Sequence, residues 1–357
     1  RSVTLRSYEA LADSMQFSLQ KQLWDDNVKY LVNYNSETKD SHYYMGSLLV
    51  PVFHLLDSVR SEQLVQTAGW ELVDARIGVR NVMPPDFHTD SSKSFFKFVN
   101  DEAGQPYVYA NGGVWPHNNA WYALALQSVG RADEALRFLK TTMTVDGIAE
   151  SPMGQPAMYE YRFADPASPE FGRIDKPSFL WAGGFYLYSL YRLAGCVENE
   201  WNVSVTSVRP LGLDSVRFSF AFGEKKIAAI KGTGRLMRSM TLDGEAIPSI
   251  VLPLDGAKGT ALTCEMGEAN APYLESVNAI VRTVRFDKRG QNLESTLSSF
   301  SGHRLVVRFI TAKKPKTLTL NGKRIGSQVK RQPDDRAFVV TVRFAGSDAD
   351  QTLSIKF

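Results

Sequence analysis

The chain has 357 residues, 43% of them hydrophobic and 22% charged, with a net charge of +3. That length supports two or three domains with ample core, and the balance of charge argues against nucleic acid or an anionic membrane as a partner. Two cysteines, Cys196 and Cys264, are too few for a disulfide framework or a thiolate zinc site, which points to a reducing, cytoplasmic compartment.

No apolar run of about 18 residues is present, so no membrane span is expected. The chain begins Arg1, Ser2, Val3 directly before a helical pattern, and it reads as a piece of something longer. From Ser7 to Trp24, Leu11, Met15, Leu19 and Leu23 recur every four residues and predict an amphipathic helix. His42 to Ser47 opens a second helix that carries Leu48, Leu49, Val52, Leu55 and Leu56, with Pro51 in its first turn. Ser61 caps a third helix, running through Leu72. A loop from Gly78 to Gly113 follows, too long to be a plain connection; Phe95, Phe96, Phe98, Tyr107 and Tyr109 argue against disorder. A fourth helix runs from Asn118 or Asn119 to Val129 and a fifth from Arg131 to Met143. A second long loop covers Asp146 to Lys176, and Pro177 starts a sixth helix, Ser178 to Leu193. Six helices in pairs, separated by long aromatic loops, predict helical hairpins around a common centre.

After Trp201 the period changes to two, as in half-buried strands. Asp243-Gly244 and Asn321-Gly322 are type I′ hairpin signals, and the phrases around them look like one hairpin used twice. The expected domains are 1–200 helical, 201–265 a β-domain and 266–357 a second β unit. Nothing from Asn202 to Phe357 has catalytic spacing, and the lone His303 is expected at the surface.

The densest chemistry lies between Asn111 and Trp121. Gly112, Gly113, Trp115, Pro116, His117, Asn118 and Asn119 stand just before an apolar helix, where a sugar or anion site presents its groups. The two glycines are expected to let main chain approach a ligand; the bland alternative is a helix entry whose Trp and His are packed core. In the second long loop, Glu150, Gln155, Tyr159, Glu160, Tyr161, Arg162, Asp165 and Arg173 collect carboxylates, donors and aromatic faces. Glycosyl transfer needs an acid, a base or anion, and donors to sugar hydroxyls. Glu160, between Tyr159 and Tyr161, is the best carboxylate, although an ion pair to Arg162 or Arg173 explains it equally well. Arg80 with Asn81, the run Asp86, Phe87, His88, and His42 with its tyrosines are weaker candidates. Gly183-Gly184, inside a predicted helix, costs about 1 kcal/mol per glycine and calls for a packing or site reason. His42, His54, His88 and His117 show no zinc spacing; no cofactor is expected.

The segment Asn111 to Trp121 resembles the glycine-glycine-x-x-x-histidine-x-x-x-tryptophan motif of the cellobiose-phosphorylase-like glycoside hydrolase family 94. Pro156 to Tyr161, Asp165 to Arg173 and Ser178 to Gly184 resemble that family's next stretch in order and spacing. Leu23 to Asp25 and Tyr43 to Leu48 are similar in style to other six-hairpin sugar hydrolases. The resemblance covers about residues 7–260. It implies an inverting carbohydrate enzyme on an (α/α)6 barrel, acting on glucan-like oligosaccharides by hydrolysis or phosphorolysis, with inorganic phosphate as possible co-substrate. It also implies that His117 contacts phosphate or its replacement and that Trp115 and Glu160 line sugar subsites. Asn118, Gln155, Tyr159, Arg162, Trp181, Gly183 and Arg80 complete the candidate set. Three departures stand beside it. Ala182-Gly183 replaces the family's threonine-glycine at phosphate, Ala110 replaces a glutamate, and the family's aspartate general acid has no counterpart here.

Six helices are half of a twelve-helix barrel. The expected fold is therefore about half an (α/α)6 toroid followed by an antiparallel β-sandwich, with an N-terminal half or partner chain completing the barrel. A non-catalytic carbohydrate-binding or scaffold piece is the alternative.

Overall fold

The computed structural model describes residues 2–35, 38–87, 105–199, 201–205, 212–232, 234, 236–255, 259–331 and 337–357. His88, Phe95, Phe96 and Phe98 lie outside them. Two compact units emerge: Ala12–Leu193, and Arg1–Leu11 together with Ala194–Phe357.

Ala12–Leu193 is built around one buried helix. In chain order the helices are α1 (Ser2–Ser18, its first part in the other unit), α2 (Leu49–Val52), α3 (Ser58–Glu71), α4 (Pro116–Ser128), α5 (Ala132–Met143), α6 (Val145–Glu150) and α7 (Gly183–Ala194). Helix α4 packs against α2, α3, α5 and the strand Gly78–Val79, and is buried almost throughout. Its alanines at 120, 123 and 125 let neighbours approach, while Leu124 and Leu126 fill the core beside Leu64, Val65 and Leu139. Ser189 of α7 sends its hydroxyl to the Ala120 carbonyl at 3.3 Å, and its own carbonyl accepts from Gln127 at 3.4 Å.

The helical toroid is not there. Among the described residues strand outweighs helix, 36% to 26%, and the seven helices form no toroid. The apolar pattern over 42–56 yields only a 3₁₀ turn (Met45–Leu48) and the four residues of α2. Pro51 supplies no N–H there, and His54 turns left-handed at φ 55°. The sixth expected helix starts five residues late, at Gly183, and α6 forms inside what reads as loop. Capping also differs: Asp57 caps α3 by accepting from the Arg60 N–H at 2.9 Å, and Trp115, not an asparagine, is the N-cap of α4.

The β unit holds three larger sheets. One runs, in spatial order, 215–222, 224–231, 261–266, 237–242 and 245–246, with its second and third strands parallel. The other two order as 273–277, 304–311, 338–345, 328–331 and as 280–287, 292–298, 351–356, 317–320, 323–324. Leu274, Val307, Phe309 and Val342 from one meet Val281, Leu293, Leu353 and Ile355 from the other in a single core, which makes these two a sandwich. Both Asx-Gly hairpins take positive φ at both positions: 48° and 87° at Asp243-Gly244, 50° and 79° at Asn321-Gly322. His303 is not at the surface. Its ring is 6% exposed between Trp201 and Phe300, its Nε2 donates to the Asn278 carbonyl at 2.7 Å, and its Nδ1 faces the Glu9 carboxylate. Cys196 and Cys264 are both buried, and no described helix is long and apolar enough to cross a membrane.

Candidate functional site

Four short extended pieces, far apart in sequence, lie side by side in the helical unit. Arg80 pairs with Val114, Val114 with Arg162, and Arg162 with Ile174. Val114 and Arg162 exchange both backbone hydrogen bonds, at 3.1 and 2.9 Å. This ladder brings the start of α4, the Glu160 loop and the segment before α7 together.

Gly113 is needed beside it. A Cβ there would lie 2.5 Å from the Tyr109 nitrogen and 2.7 Å from its carbonyl oxygen; at Gly112 (φ 93°) it would meet Pro85. The glycine pair therefore admits the chain's own backbone, where a ligand is expected from the sequence. Gly183 and Gly184 instead face open space; they stand at the start of α7, where no packing reason is required of them.

From the ladder an aromatic wall extends. Tyr109 lies 5.0 Å from Trp115 and 5.2 Å from Tyr161 between ring centroids. Trp115 touches His117 at 5.4 Å and Trp181 at 5.5 Å; His117 touches Trp181 at 4.0 Å and Trp121 at 4.7 Å. Trp181 is 44% exposed, and Phe179 beside it and Phe185 against Trp121 are exposed too. Glu160 joins through Lys176, whose ammonium lies 2.5 Å from the Glu160 carboxylate and 5.9 Å from the Tyr109 ring centroid. Glu160 thus pairs with Lys176, a partner that spacing along the chain does not single out.

His117 is 4% exposed, and burial pushes its pKa down to about 4, so the ring is neutral at physiological pH. Its Nδ1 has no hydrogen-bond partner, nor do the indole nitrogens of Trp115 and Trp121. Each such buried polar atom costs about 1–3 kcal/mol.

The remaining candidates divide. Arg162 is fully buried and braces the loop: its guanidinium donates to the carbonyls of Gly172 at 2.8 Å and Pro152 at 2.6 Å, and stands over the Tyr159 ring. Tyr159 is buried, its hydroxyl accepting from Asn119 at 3.5 Å. Asn118 points its amide into the protein, donating to the Asn81 side chain at 2.5 Å, and Asn81 donates to the Tyr109 carbonyl at 2.6 Å. Arg80 pairs with Asp74 at 3.3 Å, and burial lowers its pKa. Gln155 is exposed. Arg162, Tyr159, Asn118 and Arg80 thus support the ladder, while Trp115, His117, Trp181, Glu160 and, at the start of α7, Gly183 belong to the wall or its border.

A second polar cluster surrounds His42. Its Nδ1 faces Asp40 at 2.5 Å and its Nε2 faces Asp86 at 2.6 Å. Asp40 is 4% exposed and also accepts from the Tyr44 hydroxyl at 2.7 Å. Both ring nitrogens face carboxylate oxygens, so both carry protons. Burial opposes this charge, but hydrogen bonds to Asp86 and Asp40 outweigh it and raise the His42 pKa. Residue 87 links this cluster towards the Asn111 segment through its N–H to the Asn111 side chain at 3.4 Å. In the sequence, Asp40 carries no signal of this role; the alternating Asp40, His42, Tyr44 on one strand-like face was the available hint. No group of three or more His, Cys, Asp or Glu able to hold a metal occurs among the described residues.

No protein-family model matches the chain, and no curated protein matches it significantly. Among solved structures, a GH63 mannosylglycerate hydrolase from Thermus thermophilus is 17% identical over 50% of this chain and 36% of its own, at a TM-score of 0.32. A GH127 β-L-arabinofuranosidase from Geobacillus stearothermophilus is 9% identical over 87% of this chain and 40% of its own, at 0.22. Both are glycoside hydrolases and neither is a cellobiose phosphorylase. The chain spans well under half the length of either, and scores this low do not establish a shared fold.

Proposed function

We propose that the wall around Trp115, His117, Trp181 and Glu160 binds a glucan-type oligosaccharide and takes part in processing its glycosidic bonds. The observation that carries this reading is the set of three buried, unpartnered nitrogens on Trp115, His117 and Trp121, the two indoles each packed on His117, beside the exposed indole of Trp181. Sugars present apolar ring faces to aromatic side chains and hydroxyls to fixed donors, and both are supplied here. Glu160 is the proposed carboxylate of the site, and a second carboxylate, supplied from outside this cluster, completes an inverting pair. The test is calorimetry and sugar release with glucose oligosaccharides, with and without inorganic phosphate. Binding that Trp181→Ala weakens supports the cleft; no oligosaccharide binding refutes it.

One observation favours a purely binding role. Glu160 is already engaged within the chain, by an ion pair with the Lys176 ammonium at 2.5 Å. Glu160→Gln separates the two: a binding module keeps its affinity, whereas an enzyme loses turnover.

A further inference from the structure

The nitrogens that the wall leaves without partners also say what they take. We infer that Trp115 Nε1, His117 Nδ1 and Trp121 Nε1 form a subsite for an uncharged sugar hydroxyl and not for phosphate. This rests on the saccharide reading above and narrows its ligand.

A phosphate oxyanion buried at His117 would need compensating positive charge, because an isolated buried anion is far more costly than a buried hydroxyl. The rings packed on His117 are those of Trp115, Trp121 and Trp181, all uncharged. His117 is itself neutral at physiological pH. The cation joined to the wall, Lys176, is already paired with Glu160 and lies over Tyr109. Helix α4 begins at this point, yet its N-terminus offers an anion little. Pro116, its first residue, has no N–H, and the Asn118 N–H is spent on the Trp115 carbonyl at 3.1 Å.

A hydroxyl suits the same three atoms. Indole nitrogens only donate, and a neutral imidazole nitrogen either donates or accepts according to its tautomer. A hydroxyl has one proton to give and two lone pairs to receive, so it satisfies either tautomer of His117 while accepting from an indole. The sugar ring that carries it would lie against Trp181, the exposed member of the cluster.

The experiment is nitrogen-15 NMR of the whole chain, with indole and imidazole signals assigned, titrated separately with cellobiose and with inorganic phosphate. Cellobiose is expected to move the Trp115, Trp121 and His117 signals, and phosphate to leave them in place. Trp121→Phe, which keeps a ring against Phe185 but removes the N–H, is expected to weaken cellobiose binding about fivefold to tenfold, as loss of one buried hydrogen bond implies. Phosphate moving the three signals overturns the inference. Unchanged cellobiose affinity in a folded Trp121→Phe protein also overturns it, leaving an ordered water as the only occupant. Cellobiose moving Trp181 alone keeps the saccharide cleft but removes this subsite. Cellobiose moving none of them removes both.

Discussion

Two glycine pairs that look alike in the sequence should respond to alanine with opposite signs. At Gly113 a Cβ would stand 2.5 Å from the Tyr109 nitrogen, closer than real Cβ atoms come. The obstacle is backbone, and it is pinned: the Tyr109 carbonyl accepts from Asn81, and Asn81 from Asn118. Relief requires moving chain, so Gly113→Ala should cost about 1–3 kcal/mol, the usual range for overpacking. At Gly184, in the first turn of α7, a Cβ meets nothing within 4 Å and φ is not left-handed. There alanine mainly restricts the unfolded chain, and a gain of about 0.4–1 kcal/mol follows. The assay is urea unfolding followed by tryptophan emission, since Trp24, Trp70, Trp115, Trp121 and Trp181 lie in Ala12–Leu193 and only Trp201 does not. With a slope of about 2 kcal/mol per molar urea, a 2 kcal/mol loss moves the midpoint down by about 1 M. Gly113→Ala should also weaken oligosaccharide binding by displacing Tyr109. A Gly113→Ala midpoint at or above wild type, or a Gly184→Ala midpoint that falls as far, would refute the reasoning.

Three further outcomes are expected. The His42 pKa is raised in the folded protein, so its stabilising effect is complete below about pH 6.5, the unfolded value, and is lost as pH rises through the higher folded value. Asp86→Asn should bring the His42 titration, read by NMR, back towards lower pH; a wild-type ring titrating at the ordinary value sinks the bridge. On the acid side Asp40 is held low by the His42 N–H, the Tyr44 hydroxyl and the His42 ring, although burial opposes them. Its contribution is present above the unfolded carboxyl value and fades as pH falls through the folded one. Arg162→Met leaves the Gly172 and Pro152 carbonyls without their donor and should cost about 2–4 kcal/mol; limited proteolysis would show new cleavage between 150 and 175, and a resistant variant speaks against the brace. Lys226 is buried in the β unit with its ammonium unpartnered. Lys226→Met should therefore raise the melting temperature, by about 1 kcal/mol of stability, and a lower melting temperature would mean that the ammonium has a stabilising role.

Much of the local order is readable along the chain, and its failures have physical causes. The change to period two after Trp201 and the Asx-Gly turns report their structure because a type I′ turn needs positive φ at both central residues, which Asn, Asp and Gly tolerate. The fourth and fifth helices are equally plain, since each buries a continuous apolar face. The expected toroid does not form. Pairing helices around a centre depends on contacts between distant segments, and periodicity reports only one face of one element at a time. The same limit applies at the site. Trp115, His117 and Trp181 stand out as residue types, but nothing in their spacing reveals that Arg162 is a brace or that Lys176 holds Glu160. Asp40 and Asp86 are 46 positions apart, and only the fold places His42 between them.

The four-strip ladder of Arg80, Val114, Arg162 and Ile174 has an evolutionary corollary. Each strip contributes only one to three pairs to it, so the intervening stretches are free to grow, shrink or be rewritten while the rungs stay put. A frame of that kind lets specificity drift without redesigning what carries it. Homologues would then vary between the rungs and keep the small residue at 113 and the buried cation at 162.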